Sequence, residues 1–275
     1  DMCKAVNIIA DALENNQKIA IYGDYDVDGI TSTAIMIKYL KLLGADVIWH
    51  LPTREGEGYG LNNDAVQDIA NTGVKLMITV DCGISGNNEI AFAKSLGMKV
   101  VVTDHHSPDN QLPDADAVVN PKRLDDTSGL NYLAGVGVAF LTLVALNREM
   151  KARGFGIDNS ELMGFMDLVA LGTICDTMPL IGLNRAFVTT GLEVLNLQQN
   201  LGLRVLMQVA GIKKVSVYAV GFALGPRLNA AGRLDSAGPA LELLLTDNPL
   251  IAYDLANKLH EMNQERIDIQ NSIML

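Results

Sequence analysis

The chain has 275 residues, of which 49% are hydrophobic, and its formal net charge is −11 at pH 7. This length and apolar content are sufficient for a large buried core. The acidic balance excludes a broadly basic nucleic-acid-binding face, because phosphate contacts require lysine and arginine, although a local cleft carrying bound metal ions would still accept a phosphate. The three cysteines, Cys3, Cys82 and Cys175, are odd in number and far apart. They argue against a disulfide framework and favour a reducing, cytoplasmic environment.

The first half of the chain alternates helices and strands. Residues 2–13 place apolar side chains at helical spacing, which predicts an amphipathic helix and neither a signal peptide nor a membrane anchor. Further on, strands are predicted at 18–22, 46–51, 75–80, 98–103 and 117–120, and helices at 31–44, 62–71 and 88–97. Apolar strands separated by helices of about ten residues indicate an α/β fold with a mostly parallel sheet covered by helices on both faces.

From Gly135 onwards the pattern is helical, with apolar periods near 3.6 residues at 136–150, 161–174 and 184–198. We therefore expect one compact unit at 1–247, with a parallel-sheet part at about 1–134 and a helical part at about 135–247. Residues 248–275 continue with helical spacing and are expected to begin a linker helix.

Acidic residues and histidines follow three of the predicted strands. The first strand is followed by Asp24, Asp26 and Asp28, the third by Asp81, and the fourth by Asp104, His105 and His106. Ligands bind at the carboxyl ends of the strands in an open parallel sheet. Carboxylates that converge there repel one another unless a cation neutralises them. The sequence therefore predicts a metal site at this edge.

Each of these motifs, taken singly, also fits a different role. The pattern D-x-D-x-D-G also opens the calcium loop of an EF-hand, but the twelfth position of that loop is Ile35 here and a strand precedes it. A solvated aspartate-rich turn would account for the first cluster alone, and a helix-capping role would account for Asp81 alone. The coincidence of three acidic strand ends favours a functional site.

These motifs resemble those of a known superfamily. GDYDVDG (23–29), VDCG (80–83), TDHH (103–106) and GTICDTMPL (172–180) are similar, in this order, to the four motifs of the DHH phosphoesterases. EGYGLN, VVNPKR, GVGVAF and GPRLNAAGRLDSA resemble the RecJ branch, whose members are single-strand-specific 5′ exonucleases. The resemblance implies hydrolysis of single-stranded DNA from the 5′ end, in DNA repair and recombination, with two divalent ions. Mn²⁺ is the expected ion, and Mg²⁺ also suits oxygen donors.

The resemblance also implies roles for individual residues. It assigns metal binding to Asp26, Asp28, Asp81, His105 and Asp176, with Asp81 bridging both ions. Asp24 is placed in the catalytic set as a substitute for a histidine that many relatives carry where this chain has Tyr22. Asp104 is expected to accept the second ring proton of the ligand His105, and His106 to contact a phosphate oxygen.

Substrate contacts are expected outside these motifs. Arg227 and Arg233 would hold phosphates, with Arg54 as a weaker candidate and Tyr59 as a base-stacking residue. An internal salt bridge is the structural alternative for the arginines. The resemblance further implies that residues 1–247 form the catalytic domain and that a second, DHHA1-type domain follows the linker helix. It also implies contacts with repair or replication proteins.

Two alternative functions remain open. One is a DHH phosphodiesterase for short oligonucleotides or cyclic dinucleotides. The other is an inactive replication scaffold, against which the complete set of acids and His105 argues.

Overall fold

The computed structural model describes residues 1–53, 58, 60–109, 111–234 and 236–273, without the side chains of residues 233, 234 and 273. In the first half, strands and helices alternate as predicted. The elements are α1 (Met2–Glu14), β1 (Ile19–Tyr22), α2 (Val27–Leu42), β2 (Val47–His50), α3 (Asn63–Asn71), β3 (Leu76–Val80), α4 (Asn87–Ser95), β4 (Lys99–Thr103) and β5 (Ala117–Val119).

The five strands form one parallel sheet in the order β2-β1-β3-β4-β5. The central strands β1 and β3 are buried at every position, which explains why they are apolar throughout and do not alternate with polar residues. The predicted α/β class and parallel sheet are confirmed.

Alternate residues of each strand enter two cores, one on each face of the sheet. Ile19 and Ile21 of β1 pack in the larger core with α1 and α2, whereas Ala20 and Tyr22 pack in the smaller core with α3 and α4. This alternation follows from the two-residue period of a strand. Helices therefore cover both faces, as predicted.

In the second half, the described residues form helices and no strand. They are α5 (Gly135–Ala152), α6 (Asn159–Gly164), α7 (Met166–Cys175), α8 (Gly182–Leu197), α9 (Leu201–Val209), α10 (Val217–Ala219), a π-helical segment (Val220–Leu224), α11 (Gly225–Leu234), α12 (Gly238–Leu245) and α13 (Pro249–Ile273). The helix predicted over 161–174 is divided at Phe165 into α6 and α7.

The helices of the second half extend the larger core instead of forming a core of their own. Helix α5 packs against α1 and α2, and α7 packs against α2 and α5. The residue ranges proposed for a catalytic domain and a linker helix remain predictions. Within the part of the chain that the structure describes, no helix is long and apolar enough to cross a membrane.

Helix α2 begins four residues earlier than predicted, at Val27. The Asp26 side chain caps it by accepting a hydrogen bond from the Gly29 N–H at 3.0 Å. The side-chain oxygen of Asn229, on α11, accepts a hydrogen bond from the Val27 N–H at 3.1 Å. These two contacts place Asp28 in the first turn of the helix, where its side chain is buried.

Candidate metal centre

The candidate site lies at the carboxyl ends of β1, β3 and β4. Strand β1 pairs with β2 on one side and with β3 on the other, so the direction in which strands are added to the sheet reverses between β1 and β3. Ligands of open α/β sheets bind at such a reversal, because the loops on the two sides diverge and leave a crevice. Of the five residues predicted for metal binding, four follow β1, β3 or β4, and Asp176 lies at the C-terminal end of α7.

Backbone N–H groups hold the first acidic cluster in place. Asp24 accepts a hydrogen bond from the N–H of Tyr25 at 2.8 Å. Asp28 accepts two, from the N–H groups of Gly135 at 2.6 Å and Val136 at 2.9 Å. These last two donors are the first residues of α5, and the start of a helix favours a negative charge. The carboxylate of Asp28 is thus fixed although it is fully buried.

Asp81 occupies a strained position directly after β3. Its φ is 59°, in the left-handed region that non-glycine residues rarely adopt. Gly135 faces it so closely that a Cβ at that position would lie 2.6 Å from Asp81 Cγ and 2.7 Å from Asp81 Cβ. The absence of a side chain at Gly135 therefore allows α5 to approach Asp81 and Asp28 together.

His105 presents an unprotonated nitrogen to three carboxylates. Its Nδ1 lies 3.0 Å from the carbonyl oxygen of Leu133, and because a carbonyl only accepts, Nδ1 carries the proton. Nε2 is 3.2 Å from Asp81 Oδ1, 3.6 Å from Asp176 Oδ2 and 3.8 Å from Asp28 Oδ2. Burial, and next the adjacent His106, lower the pKa of His105 to about 4. The imidazole is therefore neutral at pH 7, with a lone pair directed at the acids.

Polar atoms at the centre of this cluster lack hydrogen-bond partners. Among the described residues, Asp81 Oδ1, His105 Nε2 and Asp176 Oδ2 are buried and unpartnered. Burial, and next nearby acids, raise the pKa of Asp24 to about 7 and that of Asp176 to about 6, and they hold the pKa values of Asp28 and Asp81 well above the usual range. Burial and the repulsion between neighbouring carboxylates both disfavour their charged forms, and a bound cation would offset both effects.

The same atoms form three overlapping groups that fit divalent ions. In each group the donor atoms lie within 4.8 Å of one another: Asp24 with Asp26 and Asp81; Asp81 with His105 and His106; and Asp28 with His105 and Asp176. All five predicted metal ligands therefore meet in the crevice, and Asp81 belongs to two of the groups. Carboxylate oxygens with imidazole nitrogen suit Mn²⁺ or Mg²⁺ better than zinc.

The predicted partnership between Asp104 and the ring of His105 is wrong. Asp104 Oδ1 accepts hydrogen bonds from Nδ1 of His106 at 2.8 Å and from the backbone N–H groups of both histidines, and Oδ2 accepts one from Ile84 N–H at 2.9 Å. The Leu133 carbonyl takes the ring proton of His105 instead. Because His106 is only two residues from Asp104, its ring folds back onto the carboxylate, whereas the ring of His105 points into the crevice.

His106 is electrostatically suited to an anion. The hydrogen bond to Asp104 raises the pKa of His106. Burial would raise the pKa of Asp104, but the hydrogen bonds and charge of His106 hold it below its ordinary value. The side chain of His106 is 41% exposed. Its position agrees with the predicted contact to a phosphate oxygen, which remains a prediction.

The sequence reasoning missed two residues beside the site. Asn120 is buried, donates to the carbonyl of His106 at 2.9 Å and accepts from the N–H of Lys122 at 2.8 Å. The positive charge of Lys122 contributes to the lowered pKa of His105 and opposes the rise in the pKa of Asp176. Both residues belong to the VVNPKR stretch, and a lysine three residues after the end of β5 was the sequence signal that could have identified them.

The predicted substrate-binding residues are separate from this cluster or undescribed. Arg227, on α11, donates to His260 Nδ1 on α13 at 3.1 Å and to the carbonyl of Ala223 at 2.8 Å. These contacts hold two helices together, as the structural alternative suggested, although the partner is a histidine. Arg54, Tyr59 and the side chain of Arg233 lie outside the described residues.

Comparisons with known proteins show the family to which this chain belongs. The profile of the DHH family, N-terminal domain, matches residues 18–173. The single-stranded-DNA-specific exonuclease RecJ of Bacillus subtilis (strain 168) is 43% identical over 267 residues, which cover 96% of this chain and 33% of that protein. A crystal structure of exonuclease RecJ bound to manganese superposes with a TM-score of 0.89 at 38% identity, covering 99% of this chain and 68% of that one.

A second structure supports the same relationship. RecJ from Thermus thermophilus in complex with Mn²⁺ has a TM-score of 0.85 and 36% identity, covering 99% of this chain and 39% of that one. The chain belongs to the DHH family of phosphoesterases. Within that family it falls in the RecJ group. It spans about a third to a half of the length of the curated RecJ proteins that it matches.

Proposed function

We propose that this chain carries the catalytic site of a metal-dependent phosphodiesterase that removes nucleotides from the 5′ end of single-stranded DNA. The observation that carries the proposal is the unprotonated Nε2 of His105, buried within 4 Å of three carboxylate oxygens. Such an arrangement is unfavourable without a cation and favourable with one. The RecJ proteins named above, which are single-stranded-DNA-specific exonucleases, support the substrate class.

Two divalent ions, Mn²⁺ or Mg²⁺, are the proposed cofactors. Asp26, Asp28, Asp81, His105 and Asp176 would hold them, and Asp24 lies close enough to join Asp26 and Asp81. When bound, such ions activate water and neutralise charge on the scissile phosphate. The manganese-bound RecJ structures support this choice of metal.

The chain itself supplies positioning and one exposed donor. Asp104 fixes the orientation of the His106 ring through Nδ1. We assign this ring the contact to a phosphate oxygen of the substrate. The raised pKa of His106 favours the cationic form that suits this role. The N-terminus of α5 fixes Asp28, and the carbonyl of Leu133 fixes the tautomer of His105.

We place this activity in cytoplasmic DNA repair and recombination, with repair or replication proteins as partners. The relationship to RecJ supports this setting.

Incubation with Mn²⁺ and labelled nucleic acids tests the proposal. We expect mononucleotides from 5′-phosphorylated single-stranded DNA, little release from duplex DNA, and loss of activity on adding EDTA. Faster cleavage of a dinucleotide or a cyclic dinucleotide than of single-stranded DNA would favour an oligonucleotide phosphodiesterase. No hydrolysis of any substrate, with Mn²⁺ bound, would favour a scaffold.

A further inference from the structure

A second cavity adjoins the metal centre on the side of α7. It has a volume of about 680 Å³, and its wall includes Cys175 and Thr177, the two neighbours of Asp176. Asn229, which accepts a hydrogen bond from the first residue of α2 between Asp26 and Asp28, also lines the cavity. The cavity therefore lies next to the acidic site, because residues adjacent to Asp176, Asp26 and Asp28 form part of its wall.

Two exposed aromatic side chains stand at the mouth of this cavity. Tyr218 and Phe222 are each 72% exposed, and their rings stack with centroids 4.7 Å apart and an interplanar angle of 24°. Aromatic rings exposed to this extent normally mark a binding surface when they adjoin one another in a cleft. A near-parallel pair offers a flat outer face on which a further planar ring stacks at the same spacing.

The backbone beneath the pair departs from regular α-helix. Phe222 lies within the π-helical segment Val220–Leu224, which follows directly after α10 and leads into α11. Short π-helical segments are rare and occur frequently at functional sites, because the added residue redirects the side chains of one turn. Gly221, the residue before Phe222, also lines the cavity, and a Cβ there would meet only Ile174 Cγ2, at 3.9 Å.

A positive charge completes the cavity wall. Arg266, on α13, lines the cavity, and its Nε is buried without a hydrogen-bond partner among the described residues. Its contact to Asn263 Oδ1, at 3.2 Å, uses only one terminal nitrogen. A guanidinium group with unused donors beside a stacking surface provides the two elements, ring and cation, that bind single-stranded nucleic acid without reading its sequence.

We propose that Tyr218 and Phe222 form a stacking platform for a nucleobase of the substrate strand, downstream of the nucleotide being removed, and that Arg266 contacts the adjoining phosphate. The inference rests on the proposed function, because it takes the strand end to lie at the acidic cluster. The platform binds any base, since every base offers a planar face. It holds the strand while the terminal nucleotide is hydrolysed and therefore affects KM more than kcat.

Abasic substrates combined with aromatic substitutions test this platform. Steady-state cleavage by the whole chain with Mn²⁺ is measured on 5′-phosphorylated dT12 and on a series with one abasic site at each of positions 2 to 6. For the wild type, we expect one position at which removal of the base lowers kcat/KM by roughly tenfold or more, mainly through KM. For the double variant Tyr218→Leu/Phe222→Leu, kcat/KM on intact dT12 should be lowered by the same factor. An abasic site at the sensitive position should lower the kcat/KM of this variant no further.

Matched control variants distinguish the loss of base stacking from nonspecific effects of a substitution on activity. Phe222→Trp keeps a planar ring and should retain the wild-type KM, whereas Phe155→Ala removes a ring that is 61% exposed beyond the opposite end of α5 and should change nothing. Arg266→Gln should reduce the slope of log KM against log salt concentration by about one. Arg148→Gln, on an exposed face near the C-terminal end of α5, should leave that slope unchanged.

Failures of the two proposals are distinguishable. A wild-type chain that does not cleave dT12 contradicts the proposed function. The platform alone is overturned if the wild type cleaves dT12 but the abasic sites and the double substitution act independently. In that case each abasic site lowers kcat/KM by the same factor in the double variant as in the wild type. If these effects are independent and the wild type forms a dimer that the double variant does not form, the platform proposal is also overturned. Tyr218 and Phe222 would then be a protein–protein contact.

Discussion

The position of Gly135 provides the most direct test of the metal centre. Replacing Gly135 with alanine would place a Cβ 2.6 Å from Asp81 Cγ and 2.7 Å from Asp81 Cβ, with Oδ1 also too close. Carbon atoms in contact normally lie about 3.5–4.0 Å apart, so one partner must move by about 1 Å. Asp81 cannot relieve the overlap by rotating its carboxylate alone, because its Cβ also clashes.

This displacement is large on the scale of metal coordination. Ligand distances are held within about 0.2 Å in functional metal sites, so a shift of about 1 Å removes Asp81 as a ligand or separates Asp28 from its two N–H donors. We expect Mn²⁺ affinity to fall by at least 10- to 100-fold, the range found when residues that orient ligands are removed. The metal-free protein should lose about 1–3 kcal/mol of stability, as for other overpacked sites.

Gly137→Ala, two residues along the same helix, is the matched control. A Cβ there would lie 3.4 Å from Leu133 Cδ2, close to an ordinary contact. Calorimetric titration with Mn²⁺ should show near wild-type affinity for this variant and the predicted loss for Gly135→Ala. If Gly135→Ala bound Mn²⁺ as tightly as the wild type, with urea unfolding confirming a native fold, the placement of Asp81 in the metal site would be refuted.

Three further predictions concern single residues. Asp81→Ala should abolish Mn²⁺-dependent hydrolysis and weaken calorimetric Mn²⁺ binding without loss of the folded state, and turnover near the wild-type rate would remove Asp81 from the site. His105→Ala should weaken Mn²⁺ binding more than Asp104→Asn, because Asp104 contacts only the backbone of His105, and equal affinities would contradict this order. Burial raises the pKa of Asp167 to about 6 from the ordinary 3.8, so the folded state holds this proton more tightly and stability falls as pH rises from about 4 to 6. Asp167→Asn should therefore raise the free energy of unfolding at pH 7.5 by about 3 kcal/mol but hardly at pH 4, and urea titrations showing no such difference would refute the reasoning.

The sequence determined the fold class and the acidic residues that meet at one edge of the sheet. Strands that are apolar throughout required burial on both faces, and this requirement, with the alternating helices, led to a parallel sheet. Acidic residues directly after the strands had to share one edge of that sheet, because parallel strands all end on the same side. These are local patterns whose consequences do not depend on the details of packing.

Only the tertiary structure decided which side chain contacts which. Asp104 binds the ring of His106 instead of that of His105, whose Nδ1 donates to the carbonyl of Leu133 in the loop before α5. Neither the approach of Gly135 to Asp81 nor the stacking of Tyr218 on Phe222 beside the site was predicted from the sequence. The first depends on the packing of α5 against Asp81, two segments distant in the chain, and the second on a local π-helical turn that the sequence pattern did not indicate.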